Sequence, residues 1–63
     1  MVRVTLTDRA AASGRYSSRS WTVVKALDWI DCGPTLYFLG RDRSGWHVIW
    51  SLPTEDVLLV VEV

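Results

Sequence analysis

The sequence of 63 residues predicts a single all-β domain of five strands that spans residues 1–63. Three observations support this prediction. Short segments alternate apolar and polar residues, which is the pattern of a strand with one buried face. These segments are rich in the aromatic and β-branched residues that strands favour, and turn-forming residues separate them. A long polar loop follows the first strand, and one 3₁₀ or helical turn precedes the last.

The clearest element is a hairpin in the second half of the chain. Its arms, Thr35–Leu39 and Trp46–Trp50, are dominated by aromatic and β-branched residues. The connection Arg41–Gly45 suits a type I turn followed by a left-handed residue, a conformation that Gly45 adopts without steric cost. Strict alternation in the second arm predicts one inward face, formed by Trp46, Val48, Trp50 and Leu52.

The other three strands follow from the same patterns. Val2, Val4 and Leu6 alternate with polar residues and predict the first strand. Trp21–Ile30 predicts a long second strand that bends through a bulge near Val23 and Val24. Its two expected faces are Val24, Ala26 and Ile30 on one side, and Trp21, Val23, Leu27 and Trp29 on the other. The nearly continuous apolar run Val57–Val61 predicts a strand buried on both faces or paired with another chain.

The polar loop (residues 7–20) has no apolar periodicity, and its length favours a functional loop over a plain connector. Thr7 or Asp8 can cap one helical turn through Ala10–Ala12, which Gly14 would end. Near the other end of the chain, Pro53 is followed by Glu55 and Asp56. This order is typical of a single helical turn whose N-terminus the acids complement.

Composition excludes several classes of protein. Cys32 is the only cysteine, so no disulfide forms within the chain, and Cys32 with His47 supplies at most two metal ligands. No segment approaches the roughly 20 apolar residues that span a bilayer. We therefore expect no metal, no cofactor and no membrane, and a reduced, cytoplasmic protein. A preference for arginine over lysine, without asparagine or glutamine, is typical of a GC-rich bacterial or phage genome.

Charge is distributed unevenly although the formal net charge is zero. Residues 1–25 carry +4 and residues 26–63 carry −4, which indicates either a basic contact surface or neutralisation within the fold. The polar loop contains Arg9, Arg15, Tyr16 and Arg19. Such a set can hold phosphates and stack on a base, pair with an acidic protein surface, or simply be solvated. A pI near 6.5 disfavours nucleic acid.

Four tryptophans are more than so small a core readily encloses. We expect at least one of Trp21, Trp29 and Tyr37 to be partly exposed, and exposed aromatic residues mark interfaces. The alternative is that each of them covers the rim of the core. No pattern of catalytic residues is present, so we expect a protein that is not an enzyme.

The order of the predicted elements resembles that of SH3-like small β-barrels over the whole chain. The polar loop lies where that family has its RT loop, Asp31–Pro34 where it has the n-Src loop, and Arg41–Gly45 where it has the distal hairpin. Leu52-Pro53-Thr54-Glu55-Asp56-Val57 resembles the family's Ile-Pro-Ser-Asn-Tyr-Val stretch. The resemblance implies a five-stranded SH3-like barrel.

The residues that bind polyproline in that family are largely missing. An Ala-Leu-Tyr-Asp-Tyr segment is absent, Tyr37 is the nearest aromatic residue to the usual Trp-Trp pair, and Asp56 replaces a groove tyrosine. We therefore expect a protein-binding module with an unidentified protein partner, for which a homodimer is one form. The expected contact residues are Arg9, Arg15, Tyr16, Arg19, Trp21, Trp29 and Tyr37. The alternative is a nucleic-acid-binding barrel that uses the basic half.

Overall fold

The computed structural model describes all of residues 1–63 and contains two three-stranded antiparallel sheets. The all-β prediction is confirmed at this level, with six strands instead of five. The elements are β1 (Val2–Leu6), α1 (Asp8–Ala12), β2 (Ser20–Val23), β3 (Asp28–Cys32), β4 (Thr35–Asp42), β5 (Gly45–Pro53), a 3₁₀ turn (Thr54–Asp56) and β6 (Val57–Glu62).

The first sheet has the order β2-β1-β6, with β1 at its centre. The predicted alternation is confirmed, since Val2, Val4 and Leu6 are fully buried and Arg3 between them is exposed. Val4 is opposite Trp21 of β2 on one side and Val60 of β6 on the other. The inward residues of three strands thus form one apolar layer.

The second sheet has the order β3-β4-β5 and contains the predicted hairpin. The turn is tighter than expected, because Asp42 and Gly45 are already paired and only Arg43 and Ser44 lie between them. Gly45 has a φ of 109°, the left-handed region that glycine enters without strain. The Asp42 carboxylate accepts hydrogen bonds from both the amide and the hydroxyl of Ser44. The arms continue the ladder to Thr35 and Pro53.

The predicted second strand is two strands. The chain turns at residues 24–27, where the amide of Ala26 donates to the carbonyl of Val23, so β2 joins the first sheet and β3 the second. The predicted face of Val24, Ala26 and Ile30 is wrong: Ala26 is fully buried, whereas Val24 is 66% exposed and Ile30 47%. A turn resets the alternation of a strand, so the residues on its two sides no longer share a face.

The predicted inward face of the second hairpin arm is confirmed for Trp50 and Leu52 and wrong for Trp46 and Val48. Phe38 is opposite Trp50, but Leu39 is opposite Val48, so Ile49 is an extra residue in the strand. Such a bulge shifts the alternation by one position. Trp50 consequently lies on the core side with Phe38, while Trp46 and Val48 lie on the outer side.

The core is small, since only 10 of the 63 residues are buried. Its central cluster comprises Val2, Val4, Ala26, Leu36, Phe38 and Leu52. Partly buried residues pack around that cluster, among them Tyr16, Trp21 and Trp29. Tyr16, Trp21 and Trp29 therefore close the core at its margin, whereas Phe38 fills its centre.

The helical turn predicted in the polar loop is confirmed as α1. The Thr7 hydroxyl accepts a hydrogen bond from the amide of Ala10, which satisfies a free donor of the first turn. Gly14 follows the turn with a φ of 81°. The predicted turn after Pro53 is present as the 3₁₀ turn.

Candidate functional site

The polar loop, β2 and β5 enclose a groove of about 320 Å³. We call it the aromatic groove, and the residues that line it are Arg15, Tyr16, Ser17, Ser18, Trp21 and Trp50. Trp21 is directed to the core side of β2 by its pairing with Val4. Trp50 lies on the core side of β5 because it is paired with Phe38.

Aromatic rings form a continuous series from the loop to the core. The centroids of Tyr16 and Trp21 are 6.1 Å apart with an interplanar angle of 25°. Trp21 and Trp50 are 5.1 Å apart at 53°, and Trp50 and Phe38 are 6.0 Å apart at 32°. Pairs in such geometries contribute about 0.5–1.5 kcal/mol each beyond the area they bury. The groove therefore has a rigid floor that continues into the hydrophobic core.

A buried carboxylate holds the loop side of the groove in place. Asp56 is 5% exposed, and its Oδ2 accepts a hydrogen bond of 2.6 Å from the Tyr16 hydroxyl. Nη2 of Arg15 lies 3.2 Å from each oxygen of the same carboxylate. The Asp56 carbonyl also accepts the amide of Thr7 at 2.9 Å. The 3₁₀ turn is thus joined to Thr7, which precedes α1, and to Arg15 and Tyr16, which follow it.

The pKa of Tyr16 is raised above its ordinary value of 10.0. The main cause is the hydrogen bond that the phenol donates to Asp56, followed by burial and the negative charge of Asp56, while the Arg15 guanidinium acts in the opposite direction. Each of the first three effects favours the neutral phenol. Tyr16 therefore remains a hydrogen-bond donor to Asp56 at neutral pH.

Three comparisons with known proteins give the same result. The chain matches no protein-family model, no curated protein and no solved structure. The assignment of a binding surface therefore depends on the geometry of the groove. No helix in the structure is both long and apolar enough to cross a membrane.

The predicted arginine set is only partly brought together. Arg15 lines the aromatic groove, and its side chain is 58% exposed. Arg19 forms an ion pair with Asp8 at the surface. Arg9 is exposed on α1 and lies beside a separate polar depression lined by Arg9, Ser13, Arg15, Glu55 and Asp56. Part of the basic excess is therefore neutralised within the fold.

Four of the seven predicted contact residues lie outside the groove: Arg9 and Arg19, and the aromatic residues Trp29 and Tyr37. Trp29 is opposite Phe38 in β3 and packs half-buried against the core. Tyr37 is on the outer side of β4, opposite Ile30 and Ser51. The expectation that at least one of Trp21, Trp29 and Tyr37 is partly exposed is confirmed, since all three are half-buried.

Sequence reasoning missed Trp50 and the role of Asp56. The alternation predicts that Trp50 lies on the inward face, but it does not predict that Trp50 joins Tyr16 and Trp21 in one groove. The sequence predicts that Asp56 complements the helical turn after Pro53, and the resemblance places it where the SH3-like family has a groove tyrosine. Neither predicts its contacts with Tyr16 and Arg15. His47 is exposed, with Nδ1 3.7 Å from Oδ2 of Asp42, and Cys32 is an exposed free thiol. No three potential metal-binding side chains cluster anywhere in the structure.

Proposed function

We propose that the protein is a non-enzymatic module that binds an extended segment of a partner protein in the aromatic groove. The observation that supports this most is a groove lined by Tyr16, Trp21 and Trp50 and held in shape by the buried Asp56 carboxylate. Trp50 is 39% exposed although it contacts two other aromatic rings. Tryptophan and tyrosine are enriched among the residues that dominate binding energy at protein interfaces.

The lining indicates the chemistry of the bound segment. Its apolar floor suits a bulky aliphatic, aromatic or prolyl side chain. Arg15 uses Nη2 for Asp56 and Nε for Ser13, so Nη1 is left to pair with a carboxylate of the ligand. Nε1 of Trp21 is buried and has no hydrogen-bond acceptor within the chain. We therefore propose an apolar segment with a neighbouring acidic residue.

The proposed fold is an SH3-like small barrel. The sheet orders β2-β1-β6 and β3-β4-β5 support it, because residues 24–27 connect β2 to β3. In the structure β2 and β3 belong to separate sheets. Joined as the two halves of one strand bent at residues 24–27, they would give the order of a five-stranded barrel. The 3₁₀ turn before β6 agrees with the same arrangement. We also propose a cytoplasmic location, since a single exposed thiol suits a reducing compartment.

The groove can be tested with a random-peptide display library as the probe. We expect enriched peptides to share a bulky apolar residue near an acidic residue. Binding of a synthesised peptide is then measured by titration calorimetry on Trp50→Ala and on Trp46→Ala, a matched control because Trp46 lies on the outer side of the same strand. Truncation of an interface anchor costs about 2 kcal/mol or more, which is a loss of about 30-fold in affinity.

A second variant, Ser17→Arg, tests the groove independently in case Trp50→Ala does not fold. Ser17 is exposed, lines the groove and makes no side-chain hydrogen bond, so Ser17→Arg fills the groove without removing a structural contact. Loss of binding in Ser17→Arg and Trp50→Ala, but not in Trp46→Ala, supports the proposal. Failure to enrich any peptide, or equal loss in all three variants, contradicts it.

Nucleic acid is the alternative occupant of the basic loop. Arg19 is already engaged in an ion pair with Asp8, so fewer free cations remain for phosphates. Fluorescence anisotropy with single-stranded DNA and RNA at two salt concentrations distinguishes the two functions. Binding that weakens steeply with salt, and that Ser17→Arg does not abolish, would replace the protein-binding proposal.

A further inference from the structure

Strand β6 has one unpaired edge. It lies at the margin of the first sheet, where one side pairs with β1 and the other pairs with nothing. Its side chains are unusually apolar for such a position: Leu58 is 66% exposed and Leu59 53%. Natural edge strands are normally protected by charges, prolines or a covering segment. Between Val57 and Val61 none of these is present.

The free edge also presents backbone hydrogen-bonding groups. The amide of Val63 donates to the carbonyl of Met1, so this pair is hydrogen-bonded across β1 and β6. Hydrogen-bonded and non-hydrogen-bonded pairs alternate along an antiparallel ladder. Val2 with Glu62 and Val4 with Val60 are therefore non-hydrogen-bonded pairs. The amides and carbonyls of Val60 and Glu62 consequently point away from β1, toward the free edge.

From this geometry we infer that β6 pairs antiparallel with β6 of a second copy of the chain. A two-fold axis at Val60 places Leu59 of each copy opposite Val61 of the other, which brings four apolar side chains together on the outer side. Glu62 is then opposite Leu58, so no like charges face each other. The strand is self-complementary in this register, as a two-fold symmetric interface requires. The two first sheets would become one six-stranded sheet.

Edge strand β3 in the second sheet lacks this self-complementarity. It contains Asp28 and Asp31, both exposed, among five residues. Acidic residues on an edge oppose pairing between copies, because like charges across strands are destabilising. The contrast favours β6 as the edge that pairs with a second copy.

Sedimentation velocity from micromolar to millimolar protein, with Leu59→Lys and Val48→Lys, tests the inference. Val48 is a matched control because it is 54% exposed on the outer side of β5, against 53% for Leu59 on β6. We expect a concentration-dependent dimer of the original chain. Leu59→Lys should raise its dissociation constant about tenfold or more, since two apolar cross-strand pairs are lost and two charges are added. Val48→Lys should leave that constant unchanged.

Amide hydrogen exchange measured by NMR shows directly whether the free edge of β6 becomes hydrogen-bonded. The amides of Val60 and Glu62 should become protected as the original chain dimerises. This measurement needs no variant, and circular dichroism checks that Leu59→Lys remains folded. A monomer at millimolar concentration, a dimer that Val48→Lys disrupts instead, or unprotected Val60 and Glu62 amides in the dimer would each overturn the inference.

The peptide-binding proposal and the dimer proposal concern different surfaces, so either can be disproved without the other. The aromatic groove is lined by the polar loop, β2 and β5, and no residue of β6 contributes to it. Ser17→Arg should leave the dimer intact, and Leu59→Lys should leave peptide binding intact. Loss of both properties in either variant would contradict the assignment of two separate surfaces.

Discussion

Asp56 and Asp42 each hold a loop in place through side-chain hydrogen bonds, but their partners lie at very different distances along the sequence. Asp56 is buried and binds Tyr16 and Arg15, which lie about 40 positions earlier in the chain. Asp42 is exposed and binds Ser44, two positions later, within its own turn. Removing one partner of a buried, charge-assisted hydrogen bond costs more than removing a solvated one. The comparison predicts that the polar loop depends on Asp56 far more than the hairpin depends on Asp42.

The largest effect is expected for Asp56→Ala. This change removes the acceptor for the Tyr16 hydroxyl and the Arg15 guanidinium and should lower the free energy of unfolding by about 2–4 kcal/mol. Urea denaturation followed by tryptophan fluorescence measures it. The aromatic groove should also open, so peptide binding should weaken even where the variant is folded. A change as small as that of an exposed aspartate would show that Asp56 does not hold the loop.

A smaller effect is expected for Tyr16→Phe. The ring still stacks on Trp21, but the hydrogen bond of 2.6 Å to Asp56 is lost. The free energy of unfolding should fall by about 1–2 kcal/mol, because Arg15 still pairs with the carboxylate. Tyr37→Phe is the matched control, since the Tyr37 hydroxyl makes no hydrogen bond within the chain and lies on the outer side of β4. Equal losses in the two variants would contradict the role given to the Tyr16 hydroxyl.

Alkaline pH should weaken the hydrogen bond between the Tyr16 hydroxyl and Asp56. The folded-state pKa of Tyr16 is raised above 10.0, first by its hydrogen bond to Asp56. A group with a raised pKa contributes stability that is fully present below the unfolded value and is lost as pH rises through the folded value. Stability should therefore decline above about pH 10. In the Tyr37→Phe background, tyrosinate absorbance reports Tyr16 alone, and its midpoint should move down when Asp56→Asn is added.

The smallest effect is expected for Asp42→Ala. The pKa of Asp42 is lowered, first by the hydroxyl of Ser44 and then by the amide of Ser44. Its contribution is therefore present above the unfolded pKa and is lost as pH falls through the lower folded value. The melting temperature at neutral pH should drop less than in Tyr16→Phe, and the difference between Asp42→Ala and the original chain should disappear at strongly acidic pH. A loss larger than that of Asp56→Ala would reverse the comparison.

Local features of the fold could be predicted because they depend on neighbouring residues alone. The alternation of Val2, Val4 and Leu6 identifies β1 and its buried face. The Thr7 cap, the left-handed Gly45 and the turn after Pro53 are likewise properties of a few adjacent residues. The expectation that the core cannot enclose all the tryptophans depends only on composition, since the chain has four of them in 63 residues.

Only the tertiary structure decided that Trp46 and Trp50 occupy opposite faces of β5 and that Trp21 and Trp29 belong to different sheets. The bulge at Ile49 separates Trp46 from Trp50, and the turn at residues 24–27 sends β2 and β3 to different sheets. Both depend on how a strand pairs with a distant partner, and a shift of one residue reverses every later side chain. The candidate site follows the same rule, since the sequence predicts Arg15 and Tyr16 as contact residues. Their shared partner Asp56 became visible only where the folded chain brings the two segments together.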